Sequence, residues 1–239
     1  MHSPFVYDFI IHVLNDRKHY DDYAKVEAAR KRLLADQRVL KVEDLGAGSI
    51  RNNQVERKIA DIAKHAAKPA KYGQLLYRMV KYYQPNMVLE LGTSLGITTR
   101  YLSLAKPSAS LITMEGATAI ASVAEEGVKQ DGLKNVQLHR GNFDTELAVV
   151  LKTFNPDFVF VDGNHRSKPT IEYFEQLLKV AHNDTILVFD DIHWSEEMES
   201  AWSYISGHPA TRCSIDLFFI GIVLFRQEFR EKQHFAIRF

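Results

Sequence analysis

The stretch Met87-Val-Leu-Glu-Leu-Gly-Thr-Ser-Leu-Gly-Ile-Thr-Thr-Arg100 constrains the fold more than any other part of the chain. An apolar run ends in an acid, turns on Gly92 and Gly96, and enters a helical pattern. A second apolar run, Leu111-Ile-Thr-Met-Glu115-Gly116, follows and again ends in an acid. Strand, glycine turn, helix and second strand form one βαβ unit, and the carboxylate that closes the second strand is placed to grip a ribose. A pyrophosphate binder needs G-x-G-x-x-G spacing, so that backbone N–H groups approach two phosphates at a helix start. Here no third glycine follows Gly96, and Glu90 at the strand end would repel a pyrophosphate. A sulfonium cofactor carries no phosphate and has an ammonium group that a carboxylate attracts. Glu115 lies about twenty residues past the turn, the usual offset for a ribose-binding acid. The unit predicts an adenosine-containing cofactor, and S-adenosylmethionine rather than a dinucleotide.

The rest of the chain bounds that reading. At 239 residues there is room for one large α/β domain with an appendage. Formal net charge is zero and the pI is about 7.2, so global charge makes no case for nucleic acid or a membrane surface. The single cysteine, Cys213, rules out an internal disulfide and a Cys-rich metal site, and its apolar surroundings predict a buried, inert thiol. No apolar run approaches the length of a membrane span, and Met1-His-Ser-Pro-Phe does not read as a signal peptide. The expected setting is cytoplasmic.

Residues 1–84 read as a helical region and 85–239 as alternating strand and helix. Apolar periodicity predicts N-terminal helices from Pro4 to about 15, over about 20–35, over about 54–67 and, after Pro69, over about 70–83. Residues 41–53 break the pattern. Gly46 and Gly48 there mimic a cofactor loop but are followed by helix instead of a second strand, so they predict a plain connection or a lid. Strands are expected at about 87–91, 110–115, 136–140, 157–162, 185–190, 212–218 and 221–226, with helices between. Runs such as Phe158-Val-Phe-Val161 and Ile186-Leu-Val-Phe189 are continuously apolar, as in a parallel sheet covered on both faces. The last two strands are too close for a crossover helix and should pair antiparallel, with Gln233–Phe239 as an extended tail. The fold expected is α/β: a doubly wound, Rossmann-like sheet of seven strands, mostly parallel, preceded by the helical region.

Ligands bind such sheets at the carboxyl ends of the strands. Those ends carry Glu90, Glu115, Gly141-Asn142, Asp162 and Asp190-Asp191. From Gly73-Gln-Leu-Leu76 to about Trp194 the chain resembles the class I, cation-dependent O-methyltransferases related to catechol and caffeoyl-CoA O-methyltransferase. Val88-Leu-Glu-Leu-Gly-Thr-Ser-Leu-Gly96 resembles the family's cofactor loop, and Ile112-Thr-Met-Glu115 its ribose-binding strand. Gly141-Asn142 resembles its adenine-contacting turn, and Phe160-Val-Asp162 and Phe189-Asp190-Asp191 its metal-binding strand ends. The resemblance covers about half the chain.

The resemblance implies roles. Glu90 would face the methionine ammonium directly or through water. Gly92, Ser94, Gly96 and Thr98 would line the methionine pocket. Glu115, beside Gly116, would bind both ribose hydroxyls, and Asn142 with Phe143 would meet the adenine. Asp162 would serve both the cofactor and a metal. Asp162, Asp190 and Asp191 would hold Mg²⁺ or a similar hard cation, which would activate a substrate hydroxyl. The departures from the family matter. Asp191 stands where the family usually has Asn, and reads either as an extra metal ligand or as the orienting partner of His193. His165 stands in the place of the family's general-base lysine, and reads as a base or as a polar turn residue. His193 is the competing base. Trp194 reads as a wall of the substrate pocket or as core.

From Arg51 to Lys81 eight Lys and Arg face two acids. Lys68 and Lys71 flank Pro69 near the expected cofactor entrance, and read as a solvated face or as the partners of an anionic acceptor. The function expected is methyl transfer from S-adenosylmethionine to a phenol- or catechol-like hydroxyl with a divalent cation. Two alternatives stand beside it: a metal-independent N- or O-methyltransferase with a histidine base, and a non-catalytic binding module. The partner expected is a small-molecule methyl acceptor, with no nucleic acid and no membrane, and the chain is open to forming a homodimer.

Overall fold

A computed structural model describes residues 3–43, 54–66 and 69–239. The first helix, α1 (Pro4–Phe9), is entered at Pro4, and the Ser3 hydroxyl accepts the Val6 N–H at 3.4 Å. A π-helical turn, Ile10–Leu14, follows, then α2 (Asp21–Ala35). The arm is not wholly helical as expected. β1 (Val39–Glu43) pairs antiparallel with β2 (Gln54–Lys58), Val42 opposite Val55, before α3 (Ile59–Ala66) and α4 (Ala70–Tyr83). The helix expected over 54–67 therefore starts at Ile59. Its apolar stripe, Ile59, Ile62 and Ala63, begins only there, and the segment before it satisfies its backbone across the hairpin. Gly46 and Gly48 lie outside the described residues.

From there the elements fall close to their expected positions. They are β3 (Met87–Leu91), α5 (Ile97–Ala105), β4 (Ser110–Glu115), α6 (Thr118–Gln130), β5 (Val136–Arg140), α7 (Phe143–Val150), β6 (Phe158–Val161), α8 (Ser167–Leu178), β7 (Ile186–Asp190), α9 (Glu196–Gly207), β8 (Cys213–Asp216), β9 (Ile220–Leu224) and β10 (Gln233–Ala236). One sheet takes the order β10-β8-β9-β7-β6-β3-β4-β5. All pairs are parallel except those of β9 with β7 and β8. The expected seven strands are present. The tail adds an eighth, β10, parallel to β8 with Gln233 opposite Cys213. Among the described residues no helix is long and apolar enough to cross a membrane.

The central strands divide their side chains by the period of two. Val88, Phe158 and Val188 pack under α1 and α4 with Val6, Phe9, Leu75 and Met79. Leu89, Val159 and Leu187 pack on the opposite face under α7, α8 and α9 with Leu147, Phe174 and Trp202. The hairpin arm joins through a smaller cluster, in which Leu33, Ile59 and Ala63 meet Leu95 and Val123.

Chain order reverses between β3 and β6: β4 and β5 extend the sheet one way and β7 the other. At such a switch point the loops after the two strands part and leave a crevice. Gly92 makes the parting possible. Its φ is +103°, and a Cβ there would lie 1.8 Å from the Asp162 carbonyl oxygen. Asp162 in turn donates its N–H to the Leu91 carbonyl at 2.8 Å, so neither strand end can yield. Gly92→Ala is expected to destabilise the fold by roughly 3 kcal/mol or more, since it adds a backbone clash to an unfavourable φ. Denaturant titration measures this, and a loss within about 0.5 kcal/mol, the range of neutral surface changes, would refute the contact.

Candidate active site

The crevice is a cleft of about 350 Å³ at the carboxyl ends of β3, β4 and β6. Gly92, Ser94, Glu115, Gly116, Asn142, Phe143, Asp162 and His165, all singled out from the sequence, line it. Glu115 is fixed by the backbone. Its Oε2 accepts the Ser94 N–H at 2.8 Å and its Oε1 the Ala117 N–H at 2.9 Å. Burial pushes its pKa up, and backbone N–H groups from Ala117, Ser94 and Gly116 pull against that, with a net rise. A carboxylate so held retains lone pairs for two vicinal hydroxyls. Asn142 caps α7, its Oδ1 accepting the Asp144 N–H at 3.0 Å. Phe143 offers an apolar face and stands edge-on to Tyr173 at 6.1 Å. Gly163 keeps that face open, because a Cβ there would lie 2.7 Å from the Phe143 ring. Sequence reasoning missed Val42, Ala117, Ile120, Gly163, Asn164 and Tyr173, which also line the cleft. Ala117 directly follows the Glu115-Gly116 pair, and Gly163 and Asn164 lie between Asp162 and His165, so these three were within reach; Val42, Ile120 and Tyr173 come from elements whose approach no local pattern encodes.

Glu90, Gly96 and Thr98 stand apart from the wide cleft. Glu90 does not line the cleft. It is fully buried on the α5 side of β3, where its Oε2 accepts the Thr99 hydroxyl at 2.5 Å and the Thr113 hydroxyl at 2.6 Å. Its Oε1 has no hydrogen-bond partner among the described residues. Gly96 is buried at the start of α5 with φ +74° and accepts Arg100 Nη1 at 2.6 Å, so it shapes the turn instead of facing a ligand. Thr98 lines a second, narrower cavity with Tyr72, Gly73, Asp162 and Asp190. Asp162 borders both cavities, so they meet at that residue.

The acids at β6 and β7 flank His165. Its Nε2 lies 3.8 Å from Asp162 Oδ1 and its Nδ1 3.6 Å from Asp191 Oδ2. Asp190 is almost fully buried, and its Oδ1 accepts the Asp191 N–H at 3.0 Å. The imidazole thus lies between Asp162 and Asp191, and Asp190 borders the narrower cavity together with Asp162. Among the described residues no three His, Cys, Asp or Glu side chains are arranged to hold a metal ion. Positive φ angles at non-glycine residues gather here, at Ser94 (+47°), Asn164 (+66°), His165 (+25°) and Asp191 (+54°). Such strain persists only where the surroundings enforce it, and it concentrates at functional sites.

His193 is engaged on both nitrogens, Nε2 with Asp216 at 2.8 Å and Nδ1 with Glu199 at 3.2 Å. Burial works to lower its pKa, but the two carboxylates outweigh this and raise it. An imidazole with both nitrogens donating is a cation and has no lone pair for a substrate proton. Its ring stacks on Phe218 at 5.4 Å. It borders a third cavity, of about 570 Å³, with Tyr72, Phe218, Phe219, Phe239 and Lys71. Lys71 Nζ lies 4.8 Å from the Tyr72 ring centre and 5.1 Å from that of Phe239. Trp194 is 71% exposed, so the core reading is corrected, and it lines none of these cavities. Lys68 lies outside the described residues.

Residues 89–192 match a family model described as a methyltransferase domain. A catechol O-methyltransferase from Niastella koreensis is 31% identical over 124 residues, or 50% of this chain and 55% of that protein. The chain thus spans about half the length of this curated relative. The O-methyltransferase from Bacillus cereus, solved in complex with SAH, superposes with a TM-score of 0.61 at 17% identity over 92% of this chain and 97% of that one. The O-methyltransferase TomG from Streptomyces achromogenes, solved with SAM, gives 0.61 at 20% identity over 92% and 95%. These structures show the shared fold, and the domain match falls on the segment from which the class I methyltransferase resemblance was read.

The burial of Glu90 has a consequence for stability. Its pKa is pushed up to about 7, mainly by burial, against the pull of Thr113 and Thr99 and with added repulsion from Glu115. The folded chain thus holds that proton more tightly than the unfolded chain. The resulting stabilisation is complete below the ordinary carboxylate range and is lost as pH rises through about 7. Between pH 5 and 8, without ligand, the wild-type chain is expected to lose stability relative to Glu90→Gln, by on the order of 3 kcal/mol at the upper end. Thermal or denaturant unfolding across pH measures this, and parallel profiles for the two proteins would contradict it.

Proposed function

We propose that this chain is an S-adenosylmethionine-dependent O-methyltransferase that acts on a small phenol- or catechol-like hydroxyl with His165 as general base. The observation that carries the reading is Glu115, locked by two backbone N–H groups at the mouth of the switch-point cleft. The residues present fit the cofactor. Glu115 suits the ribose diol, Phe143 and Ile120 suit a flat base, and the acids toward Asp162 suit a sulfonium and an ammonium. The relative named for catechol supports the acceptor class.

Bound S-adenosylmethionine supplies an electrophilic methyl group. The chain must orient an acceptor oxygen in line with it and remove that oxygen's proton. His165 borders the cleft beside Asp162, where the two cavities meet, and its neutral form takes the hydroxyl proton as the new O–C bond forms. On transfer to that oxygen, the methyl–sulfur bonding pair would remain on sulfur. Asp162 and Asp191 stabilise the imidazolium so formed. The aromatic cavity with Lys71 suits an acceptor ring bearing an anionic group. No step is routed through a cation, because the imidazole stands between the carboxylates that would bind one. His193, doubly paired, holds the acceptor side and does not act as the base.

Glu115→Ala is expected to weaken S-adenosylmethionine binding at least about tenfold with the fold intact, as bonds to a charged group are worth about 1.5–3 kcal/mol. Titration calorimetry that finds unchanged affinity in the folded variant would remove the ribose assignment.

The base is tested by single-turnover rates with a panel of hydroxylated aromatic acceptors. His165→Ala is expected to slow methyl transfer by about a hundredfold to ten-thousandfold with little change in cofactor affinity. His193→Ala should do less, and exhaustive chelation should leave the rate intact. The reverse ranking of the histidines would move the base to His193. Loss of turnover on chelation would restore the cation-assisted reading.

A further inference from the structure

We infer that Arg30, on α2 of the N-terminal arm, receives the α-carboxylate at the amino-acid end of S-adenosylmethionine, an inference that rests on the cofactor reading above. The amino-acid end must leave the wide cleft, because Glu115 and Phe143 there suit the adenosine end. The exit the structure provides is the narrower cavity that shares Asp162 with the cleft. That cavity runs between the sheet edge and the arm: Asp162 and Asp190 at strand ends, Thr98 on α5 and Gly73 on α4, and Glu27 and Arg30 on α2.

The charges of this lining decide what fits. Asp162, Asp190 and Glu27 are acids, and Arg30 is the only cation among the described residues of the wall. A lining of three carboxylates welcomes a sulfonium and an ammonium and repels a carboxylate. The cofactor's amino-acid end carries both an ammonium and a carboxylate, so the carboxylate needs a cationic partner, and the wall supplies one. Guanidinium suits this task because its planar fork pairs a carboxylate through two parallel N–H···O bonds. Arg30 shares this wall with Glu27 and Tyr101. Glu27 and Arg30 both act electrostatically on the Tyr101 hydroxyl, which donates to Glu27 Oε1 at 3.4 Å. Tyr101 in turn is seated against α4 at Gly73, where even a Cβ would lie 2.4 Å from its ring. The arm is thereby part of the cofactor site, with Arg30 as a binding residue for the carboxylate.

Two nucleoside probes separate this role from a structural one. S-adenosylhomocysteine carries the amino-acid end, and 5′-methylthioadenosine has the same adenosine and thioether but lacks it. Calorimetry on the full chain is expected to show that Arg30→Gln weakens S-adenosylhomocysteine binding about ten- to hundredfold, the range for a hydrogen bond between charged groups. Affinity for 5′-methylthioadenosine should stay within about twofold, and Arg30→Lys should recover part of the loss. An equal loss for both probes, or no loss for either, would overturn the inference. A wild-type chain that binds 5′-methylthioadenosine as tightly as S-adenosylhomocysteine would overturn it too, with the cofactor reading left standing. A wild-type chain that binds neither would overturn the cofactor reading itself.

Discussion

The architecture depends on one close approach: the turn after β3 passes the end of β6 with no atom to spare at Gly92. The Asp162 carbonyl fills the position a Cβ would take, while the Asp162 N–H is bonded to Leu91. The β3 turn is also clamped from behind. Arg100, nearly fully buried, donates to the Leu95 and Gly96 carbonyls and pairs with Asp131 at 2.7 Å. A buried charge with three such partners is costly to disrupt, because removing one side strands the other. The two strand ends are therefore held as one rigid piece, and several residues of the proposed reaction hang from it. Asp162 and His165 follow β6 directly, and Ser94 of the same turn fixes Glu115. Sites on elements held this rigidly keep their geometry better than sites on free loops.

Glu90 shows why a motif residue need not act where its motif suggests. A strand alternates its faces, so Glu90 shares a side with Val88, toward α5, and not with the cleft. There Thr99 and Thr113 bond one oxygen, and Thr113 is further tied to Thr93 at 2.6 Å. The network links β3, β4 and α5 around a polar group that burial would otherwise make unfavourable. Its Oε1 has no hydrogen-bond partner among the described residues, and burial pushes its pKa up to about 7.

Much of this was legible because the controlling patterns are local. The runs at β3, β4, β6 and β7 are apolar, end in acids and are separated by helix-length segments. Their order, ends and parallel pairing followed directly. The β1–β2 hairpin was not legible. Its strands lie on either side of residues 44–53, and Ile59 and Ile62 extended a helical period back across Gln54–Lys58. β10 escaped for the same reason, since its pairing with β8 is decided by an edge distant in sequence. At the site, Glu115 could be placed from its offset alone. Arg30 could not, because nothing within α2 tells that Tyr101 and Gly73 will bring it alongside Asp162. Trp194 failed through composition: a tryptophan is usually at least partly buried, and this one stands in solvent.

The carboxyl edge of the sheet gathers acids that must each be compensated, and the structure does this in different ways. Glu90 is compensated by hydroxyl bonds, with burial pushing its pKa up. Asp216 and Glu199 are compensated by His193 between them. Asp162 and Asp191 have His165 between them, at contact distances longer than hydrogen bonds. That difference sets the chemistry available to each histidine. A ring bound at 2.8 Å and 3.2 Å to two carboxylates gives up its proton reluctantly. One held at 3.6 Å and 3.8 Å keeps a nitrogen within reach of a substrate. It follows that a hard cation and a histidine base are rivals here. A cation drawn between Asp162 and Asp191 would compete with the imidazole for the same two carboxylates, so metal activation and proton transfer to His165 draw on one pair of acids.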